Sequence, residues 1–187
     1  MLGRLFGGRN DGEAIAADLY GAIVARARRR QIYAEFGVPD TVAGRFEMVL
    51  LHMTIVLERL ETGSPKERAL GQLVFEIFCD DMDKTLREFG VGDAVMGKRM
   101  KKMAQSYYGR SKAYRAAFLT GSDDDLLHAL GRNLFPGREN ALDPQLAVLA
   151  REARADVAAV AVGEFEQGAA ALDSVAVAPV GSDHGDL

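Results

Sequence analysis

The sequence predicts an all-α protein, a single-domain bundle of about six helices. Apolar residues recur at helical spacing in nearly every segment, whereas the alternation typical of strands is almost absent. Glycine, proline and capping residues interrupt this pattern, and the breaks they make predict short loops. With 187 residues, 48% of them apolar, the chain is long enough to bury a hydrophobic core as one domain.

The first three predicted helices are separated by glycine and proline. The first runs over 11–34 and ends before Gly37-Val38-Pro39, because proline cannot continue a helix. The second runs over 41–61, with Asp40 or Thr41 as its N-terminal cap. Ser64-Pro65-Lys66-Glu67 is a capping box with proline at the first helical position, and it begins a third helix over 65–89.

Three more helices follow in the second half of the chain. The fourth runs over 93–119, the short fifth over 123–131, and an alanine-rich last helix begins at Asp143-Pro144 and reaches about Gln167. The helical pattern stops near residue 170. We therefore expect an N-terminal extension at 1–10, a helical domain at 11–170 and a disordered tail at 171–187.

Composition and hydropathy argue against several classes of protein, namely disulfide-bonded, cysteine-zinc and membrane-spanning proteins. Cys79 is the one cysteine, which excludes a disulfide within the chain and a zinc site made of cysteines. The longest uncharged apolar run, 48–57, is about half of the roughly 20 residues that a transmembrane helix needs. The first ten residues contain no apolar region of signal-peptide length. We expect a cytoplasmic protein without a membrane-spanning helix.

The second predicted helix carries three faces. The core face holds Val42, Phe46, Val49, Leu50, Met53, Leu57 and Leu60, and an acidic face holds Glu47, Thr54, Glu58 and Glu61. The third face, basic at both ends and apolar between, consists of Arg45, Met48, His52, Ile55 and Arg59. It either packs on a neighbouring helix while its arginines reach water, or forms an exposed groove for a partner helix. His52 has no second ligand at metal spacing, so a core or edge histidine is favoured.

The third predicted helix contains an acidic cluster, Asp80, Asp81 and Asp83. A D-D-x-D run can bind magnesium. However, Asp80 with Lys84 and Asp83 with Arg87 are four residues apart and favour an ion-paired surface. The sequence also contains no phosphate-binding loop and no nucleophile elbow. We expect no catalytic residue, no metal and no cofactor.

The fourth predicted helix is strongly basic. Residues 94–122 contain seven positive charges and no acid, which leaves 16 positive and 27 negative residues, or −11, elsewhere. The net charge of −4 and the pI of about 5.4 argue against a general nucleic-acid or DNA binder. These whole-chain values nevertheless include one strongly cationic helix. Lys98, Lys102 and Lys112 run opposite the apolar stripe. This stripe of cations either docks an acidic partner, phosphates or headgroups, or pairs with the acidic third helix.

Arg110 lies on the apolar stripe of the same helix, seven residues after Met103. A charge there must be paired, so we predict a carboxylate partner on the second or third helix. Tyr107 and Tyr114 share this stripe, and we expect both to be buried, although Tyr107, Tyr108 and Tyr114 among cations superficially resemble a stacking surface for RNA.

Two long blocks of residues resemble a known family. The first is Ile32-Tyr33-Ala34-Glu35-Phe36-Gly37-Val38-Pro39-Asp40-Thr41 with Gly44-Arg45-Phe46-Glu47 and Leu51-His52; the second runs from Asp81-Met82-Asp83 through Gly90-Val91-Gly92-Asp93 and Lys98-Arg99-Met100-Lys101-Lys102-Met103 to Tyr107-Tyr108-Gly109-Arg110 and Ala113-Tyr114. Over about 15–120 the sequence resembles the ubiquinol–cytochrome c chaperone family in its alphaproteobacterial form.

The resemblance implies a non-catalytic assembly chaperone for respiratory complex III. Mitochondrial members of the family bind newly made cytochrome b and act near the ribosomal exit tunnel. The implied partners are apo-cytochrome b or another membrane-protein client, the ribosome, and the inner face of the cytoplasmic membrane as a peripheral contact. The alternative function is a ribosome or RNA contact through the basic helix at 98–115. The candidate partner-binding residues are Arg45, Met48, His52, Ile55, Arg59, Lys98, Lys101, Lys102, Tyr108, Arg110 and Lys112.

Overall fold

The computed structural model describes residues 9–135, 143–159 and Phe165. Within these ranges the elements are α1 (Arg9–Ala27), α2 (Arg30–Ala34), α3 (Val42–Glu61), α4 (Pro65–Glu88), α5 (Asp93–Thr120), α6 (Asp123–Leu134) and α7 (Gln145–Ala159). The predicted all-α bundle is confirmed: the six predicted helices are present, and the first is divided in two. The predicted tail at 171–187 lies outside the described residues, as does the end of the last predicted helix after α7 apart from Phe165.

The break between α1 and α2 contradicts the single first helix predicted from the sequence. The backbone leaves the helix at Arg29, where ψ is 130°. This turn buries Ile32 and, just after α2, Phe36 in the core. The hydroxyl of Tyr33 donates a hydrogen bond to the Ala27 carbonyl at 2.5 Å, which satisfies one of the free carbonyls at the end of α1.

The starts of α3 and α4 follow the capping signals in the sequence. Thr41 caps α3, and its Oγ1 accepts the Gly44 N–H at 3.1 Å. A side chain at residue 44 would collide with the Pro39 carbonyl, so glycine is required there. Ser64 caps α4: its Oγ accepts the Glu67 N–H at 3.1 Å, and the Glu67 carboxylate accepts the Ser64 N–H at 2.7 Å. The capping box is therefore confirmed.

Helix α3 is the central element of the bundle, and α1, α4, α5, α6 and α7 all pack against it. More than half of its residues are buried, on every side of the helix. A helix that is largely apolar all round belongs in the interior, and α3 meets this condition through its run from Met48 to Leu57.

A tight turn connects α4 to α5. Gly90 has a φ of 80°, the left-handed region that favours glycine. Its N–H donates to the Arg87 carbonyl at 2.9 Å, and the Val91 N–H donates to the Leu86 carbonyl at 3.0 Å. These two bonds form a Schellman motif, which ends α4 and reverses the chain into α5.

Helix α5 is long and unevenly covered. Its 28 residues span about 42 Å at 1.5 Å per residue. In its first half, over 93–106, Met96 is the one buried residue, whereas Tyr107, Tyr114 and Phe118 are buried in the second half. None of the helices over the described ranges has the length and apolarity needed to cross a membrane.

We expect the Ser64 cap to contribute measurably to stability. Ser64→Ala removes the acceptor of the Glu67 N–H and should lower the free energy of unfolding by about 1 kcal/mol. Ser122→Ala, at the exposed cap of α6 where the hydrogen bond is 3.3 Å long, is the matched control and should lose less. Urea unfolding followed by circular dichroism measures both, and an equal loss in the two variants would contradict the prediction.

Candidate partner-binding site

The third face of α3 packs inside the bundle, so its interpretation as an exposed Met/Ile groove is wrong. Met48 and Ile55 are both buried. Between them, His52 lines a small cavity of about 30 Å³ that is closed by residues of α1, α2 and α7. Elements from both ends of the chain cover this face, which the periodicity of α3 alone does not show. The alternative interpretation, packing on neighbouring helices, is the one that the structure supports.

His52 is held neutral by its surroundings. Its Nδ1 lies 2.9 Å from the Met48 carbonyl oxygen. Burial lowers the pKa of His52 to about 4, and Arg26 and Arg29 lower it further while the bond to Met48 opposes them. His52 is therefore uncharged at neutral pH and does not act as a proton carrier there.

The two arginines of this face are both engaged within the molecule. The Arg45 Nε donates to Asp40 at 2.6 Å, and its guanidinium lies 5.4 Å from the centre of the Tyr33 ring. The Arg59 guanidinium lies 3.4 Å from the buried Glu67 carboxylate and 5.5 Å from the centre of the Phe165 ring. Arg59 therefore packs in the structure rather than rimming a groove.

Arg110 has the carboxylate partner that the sequence predicts. Its Nε donates to the Glu47 carboxylate at 2.7 Å, so the partner lies on α3, the second predicted helix. The Tyr114 hydroxyl donates to the other oxygen of the same carboxylate. Glu47 is only 2% exposed, and burial raises its pKa while Arg110 opposes that shift. The acidic face predicted for α3 is therefore internal at Glu47, whereas Val42, predicted for the core, is 72% exposed.

Two of the three aspartates of the acidic cluster of α4 make contacts within the molecule, and Asp80 is exposed. Asp81 accepts a hydrogen bond from the Tyr20 hydroxyl at 2.7 Å, and Asp83 pairs with Arg87 at 2.7 Å as predicted. Arg87 also pairs with Asp93 at the start of α5. Over the ranges that the structure describes, no three histidine, cysteine, aspartate or glutamate side chains converge as a metal site.

The cations of α5 are exposed and do not pair with this cluster. Lys98, Arg99, Lys101, Lys102 and Lys112 are all exposed. None of them forms an ion pair with another residue of the described parts of the chain. The interpretation that this stripe pairs with the acidic third predicted helix is therefore wrong. Two other cations of α5, Arg110 and Arg115, pair instead with Glu47 and Glu61 of α3, at 2.7 and 2.6 Å. The lysines thus remain available for a partner.

An open groove lies where α5 crosses the end of α3 and the first half of α4. It consists of two adjoining cavities of about 230 and 500 Å³, which share Glu61, Tyr107, Tyr108 and Arg115. Leu57, Gly71 and Phe75 line one cavity, and Lys112, Ala116 and Leu119 line the other. We call this the aromatic groove.

Three rings form the wall of the aromatic groove. The Phe75 ring centre lies 5.2 Å from that of Tyr107 and 5.8 Å from that of Tyr108, and the two tyrosine rings are 5.4 Å apart, edge to face. Tyr107 is buried as predicted, and its burial raises the pKa of the hydroxyl to about 12. Tyr108 is 62% exposed and Leu119 is 80% exposed, so both present apolar surface to solvent.

Of the predicted partner-binding residues, the aromatic groove contains Tyr108 and Lys112. Sequence reasoning missed Phe75, Arg115 and Leu119. One signal was available for Phe75: it is an aromatic residue off the apolar stripe of α4, next to Val74, which lies on it. The pairing of Arg115 with Glu61 depends on how α5 crosses α3, which the sequence does not specify.

Comparison with known proteins decides the family. A family model described as ubiquinol-cytochrome C chaperone matches residues 34–170, most of the chain. This protein belongs to that family. The match includes the aromatic groove and the turn between α4 and α5.

Solved and curated relatives agree with this assignment. The crystal structure of the Cbp3 homolog from Brucella abortus is similar to this protein, with a TM-score of 0.76 and 36% identity over 85% of this chain and 88% of that chain. The mouse and human proteins named ubiquinol-cytochrome c reductase complex assembly factor 1 are 24% and 23% identical over 120 residues. That match covers 40% of the length of these curated relatives.

We predict that the Glu47–Arg110 pair stabilises the fold far more than the half-exposed Arg115–Glu61 pair. Arg110→Met leaves the buried Glu47 carboxylate without its cation and should cost roughly 3 kcal/mol of unfolding free energy. Arg115→Met removes a half-exposed pair and should cost less than about 1 kcal/mol. Guanidinium unfolding gives both values; similar losses would show that Glu47 is not the dominant contact.

The lowered pKa of His52 makes the free energy of unfolding decrease as the pH falls. Its pKa is lowered to about 4 in the folded chain from 6.5, so the unfolded chain takes up a proton first as the pH falls. The resulting stability is present above pH 6.5 and is lost progressively towards pH 4. At pH 5 this loss should be about 1–2 kcal/mol in the wild type.

The comparison variant for this prediction is His52→Gln, which should lose less stability than the wild type between neutral pH and pH 5. His128→Gln, which changes an exposed histidine of α6, should keep the wild-type dependence. Urea unfolding across this pH range measures the difference, and parallel curves for wild type and His52→Gln would contradict it.

Proposed function

We propose that this protein is a non-catalytic assembly chaperone that binds newly made cytochrome b during biogenesis of the respiratory cytochrome bc complex, complex III. The observation that supports the proposal most directly is the family match, joined to an open aromatic groove within the matched residues. The names of the mouse and human relatives, assembly factors of ubiquinol-cytochrome c reductase, point to the same complex.

The aromatic groove has the chemistry expected for an apolar helical segment of a client. Its wall is the three-ring cluster around Tyr107, and Tyr108 and Leu119 extend this apolar surface outward along α5. An apolar helix can lay one face into such a groove. Newly made segments of a membrane protein expose faces of this kind before they are assembled.

Cations border the aromatic groove and suit the polar flank of such a client. Lys112 and Arg68 line its two cavities, and both side chains are exposed. Arg115 lies between the cavities, paired with Glu61. Tyrosine and arginine are the residue types that contribute most to binding at protein interfaces. This mixture favours a client helix that carries an acidic residue at the end of its apolar stretch.

The remaining parts of the proposal concern catalysis and location. We propose that the chaperone has no catalytic residue and no cofactor, and that it acts in the cytoplasm at the inner face of the cytoplasmic membrane. The family description as a chaperone supports the first part.

The alternative of an RNA contact through 98–115 has less support from the geometry. Stacking on bases requires exposed rings beside the cations. Tyr107 and Tyr114 are buried, which leaves Tyr108 as the exposed ring among these three tyrosines. The cations of this helix are accordingly better explained without base stacking.

The test of the proposed function is capture of the client by the aromatic groove. A photo-crosslinking residue at position 112, an exposed position that lines the aromatic groove, should trap newly made cytochrome b in cells that produce the bc complex. Tyr108→Asp with Leu119→Asp places two carboxylates on apolar surface and should lower both capture and the amount of assembled bc complex at least tenfold. Immunoblots of cytochrome b and the haem b absorbance of membranes provide the two readouts.

Val42→Asp is the matched control, because it introduces a carboxylate at an exposed apolar position outside the aromatic groove. It should retain capture and assembly. If the double variant remains folded by circular dichroism and still captures cytochrome b at the wild-type level, the groove is not the client site. If deletion of the gene leaves the bc complex intact, the proposed function itself is wrong.

A further inference from the structure

The first half of α5 and the turn before it form a second surface that the aromatic groove does not use. We call this surface the hairpin tip and define it by Phe89, Val95, Lys98, Arg99, Lys101 and Lys102. We propose that the hairpin tip docks on an anionic membrane surface, with the cations on lipid phosphates and Phe89 and Val95 in the interface.

The charge of the hairpin tip is unbalanced within the molecule. Lys98, Arg99, Lys101 and Lys102 are exposed and make no ion pair with the described residues. Arg87 pairs with both Asp83 and Asp93, so these three residues together carry a charge of −1. With the exposed Glu88 at the end of α4, two negative charges face the four exposed cations, which leaves +2. The tip therefore presents a net positive field on a protein of net charge −4.

Two exposed apolar side chains belong to the same turn and the same first half of α5 as these cations. Val95 is exposed, and Lys98, Arg99 and Lys102 follow it by three, four and seven residues, the spacing of one helix face. Phe89 is 70% exposed at the C-terminal cap of α4. An apolar centre with basic surroundings is typical of surfaces that lie in a membrane interface, because lysine and arginine stems reach the headgroups while apolar groups enter the acyl boundary.

The turn that carries Phe89 is held in one shape. The Schellman bonds of Gly90 and Val91 fix its backbone, and Arg87 connects the last turn of α4 to the first residue of α5. A preorganised tip loses little conformational entropy on docking. RNA phosphates would satisfy the cations equally well, but they give no reason for an exposed Phe89 and Val95 beside them. The lipid surface accounts for both the charges and the apolar side chains.

The experiment is vesicle flotation of the full chain with phosphatidylcholine vesicles, with and without phosphatidylglycerol. We expect binding that requires phosphatidylglycerol and weakens with added salt. Lys98→Gln with Lys101→Gln and Lys102→Gln should lower the affinity roughly 100-fold, at roughly fivefold per lysine. Arg28→Gln with Arg30→Gln and Arg132→Gln removes the same charge from exposed arginines elsewhere and should change the affinity by less than roughly tenfold. Equal losses in the two triple variants would overturn the proposal.

A second readout locates the inserted residue. The chain contains no tryptophan, so Phe89→Trp introduces a single tryptophan at the tip, and its emission can be excited apart from that of the five tyrosines. Its emission should shift to the blue on phosphatidylglycerol vesicles, whereas Leu119→Trp at the far end of α5 should not shift. An unshifted Phe89→Trp overturns the membrane proposal, and so does binding to single-stranded RNA without binding to vesicles. This inference rests on the location given in the proposed function, the inner face of the cytoplasmic membrane. Its failure would count against that location, whereas the binding of cytochrome b is decided separately by the crosslinking test.

Discussion

The carboxylate of Glu47 is the contact on which the arrangement of α3 and α5 depends. It is almost fully buried, and it accepts one hydrogen bond from Arg110 and one from Tyr114, both on α5. A buried carboxylate without these donors would cost several kcal/mol, so the register of α5 against α3 that supplies both is strongly favoured. The same register places Tyr107, one turn before Arg110, against Phe75. The shape of the aromatic groove therefore follows from an ion pair that lies beside it.

Local signals in the sequence were sufficient for most of the fold. The capping box at Ser64 acts within a few residues, and the structure has it where the sequence predicts it. The third predicted helix, over 65–89, likewise ends next to the turn at Gly90. The burial of Tyr107 and Tyr114, and the need of Arg110 for a carboxylate on a neighbouring helix, also followed from periodicity. Each of these features depends on chemistry that one helix or one turn displays by itself.

The predictions that the structure contradicts share a cause. Each of them depended on which other element packs against the residues in question. The third face of α3 looked like a candidate groove because nothing in 42–61 indicates that α1 and α7 cover it. Glu47 looked solvent-exposed because its donors are more than 60 residues away in sequence. The break at Arg29 has no glycine or proline, and it is stabilised by the contact of Tyr33 with Ala27. A helical wheel shows which faces differ but not what packs against them.

Helix α5 connects the two proposed surfaces, and its charge would orient the molecule relative to an anionic membrane. Residues outside 94–122 carry a net charge of −11, and an anionic membrane repels them while it attracts the hairpin tip. The molecule would then approach with the tip first. At 1.5 Å per residue, Tyr108 and Leu119 lie about 20 and 36 Å along α5 from Val95. A docked tip would leave the aromatic groove about 20–36 Å along α5 from the lipid contact, within reach of a client helix before its insertion.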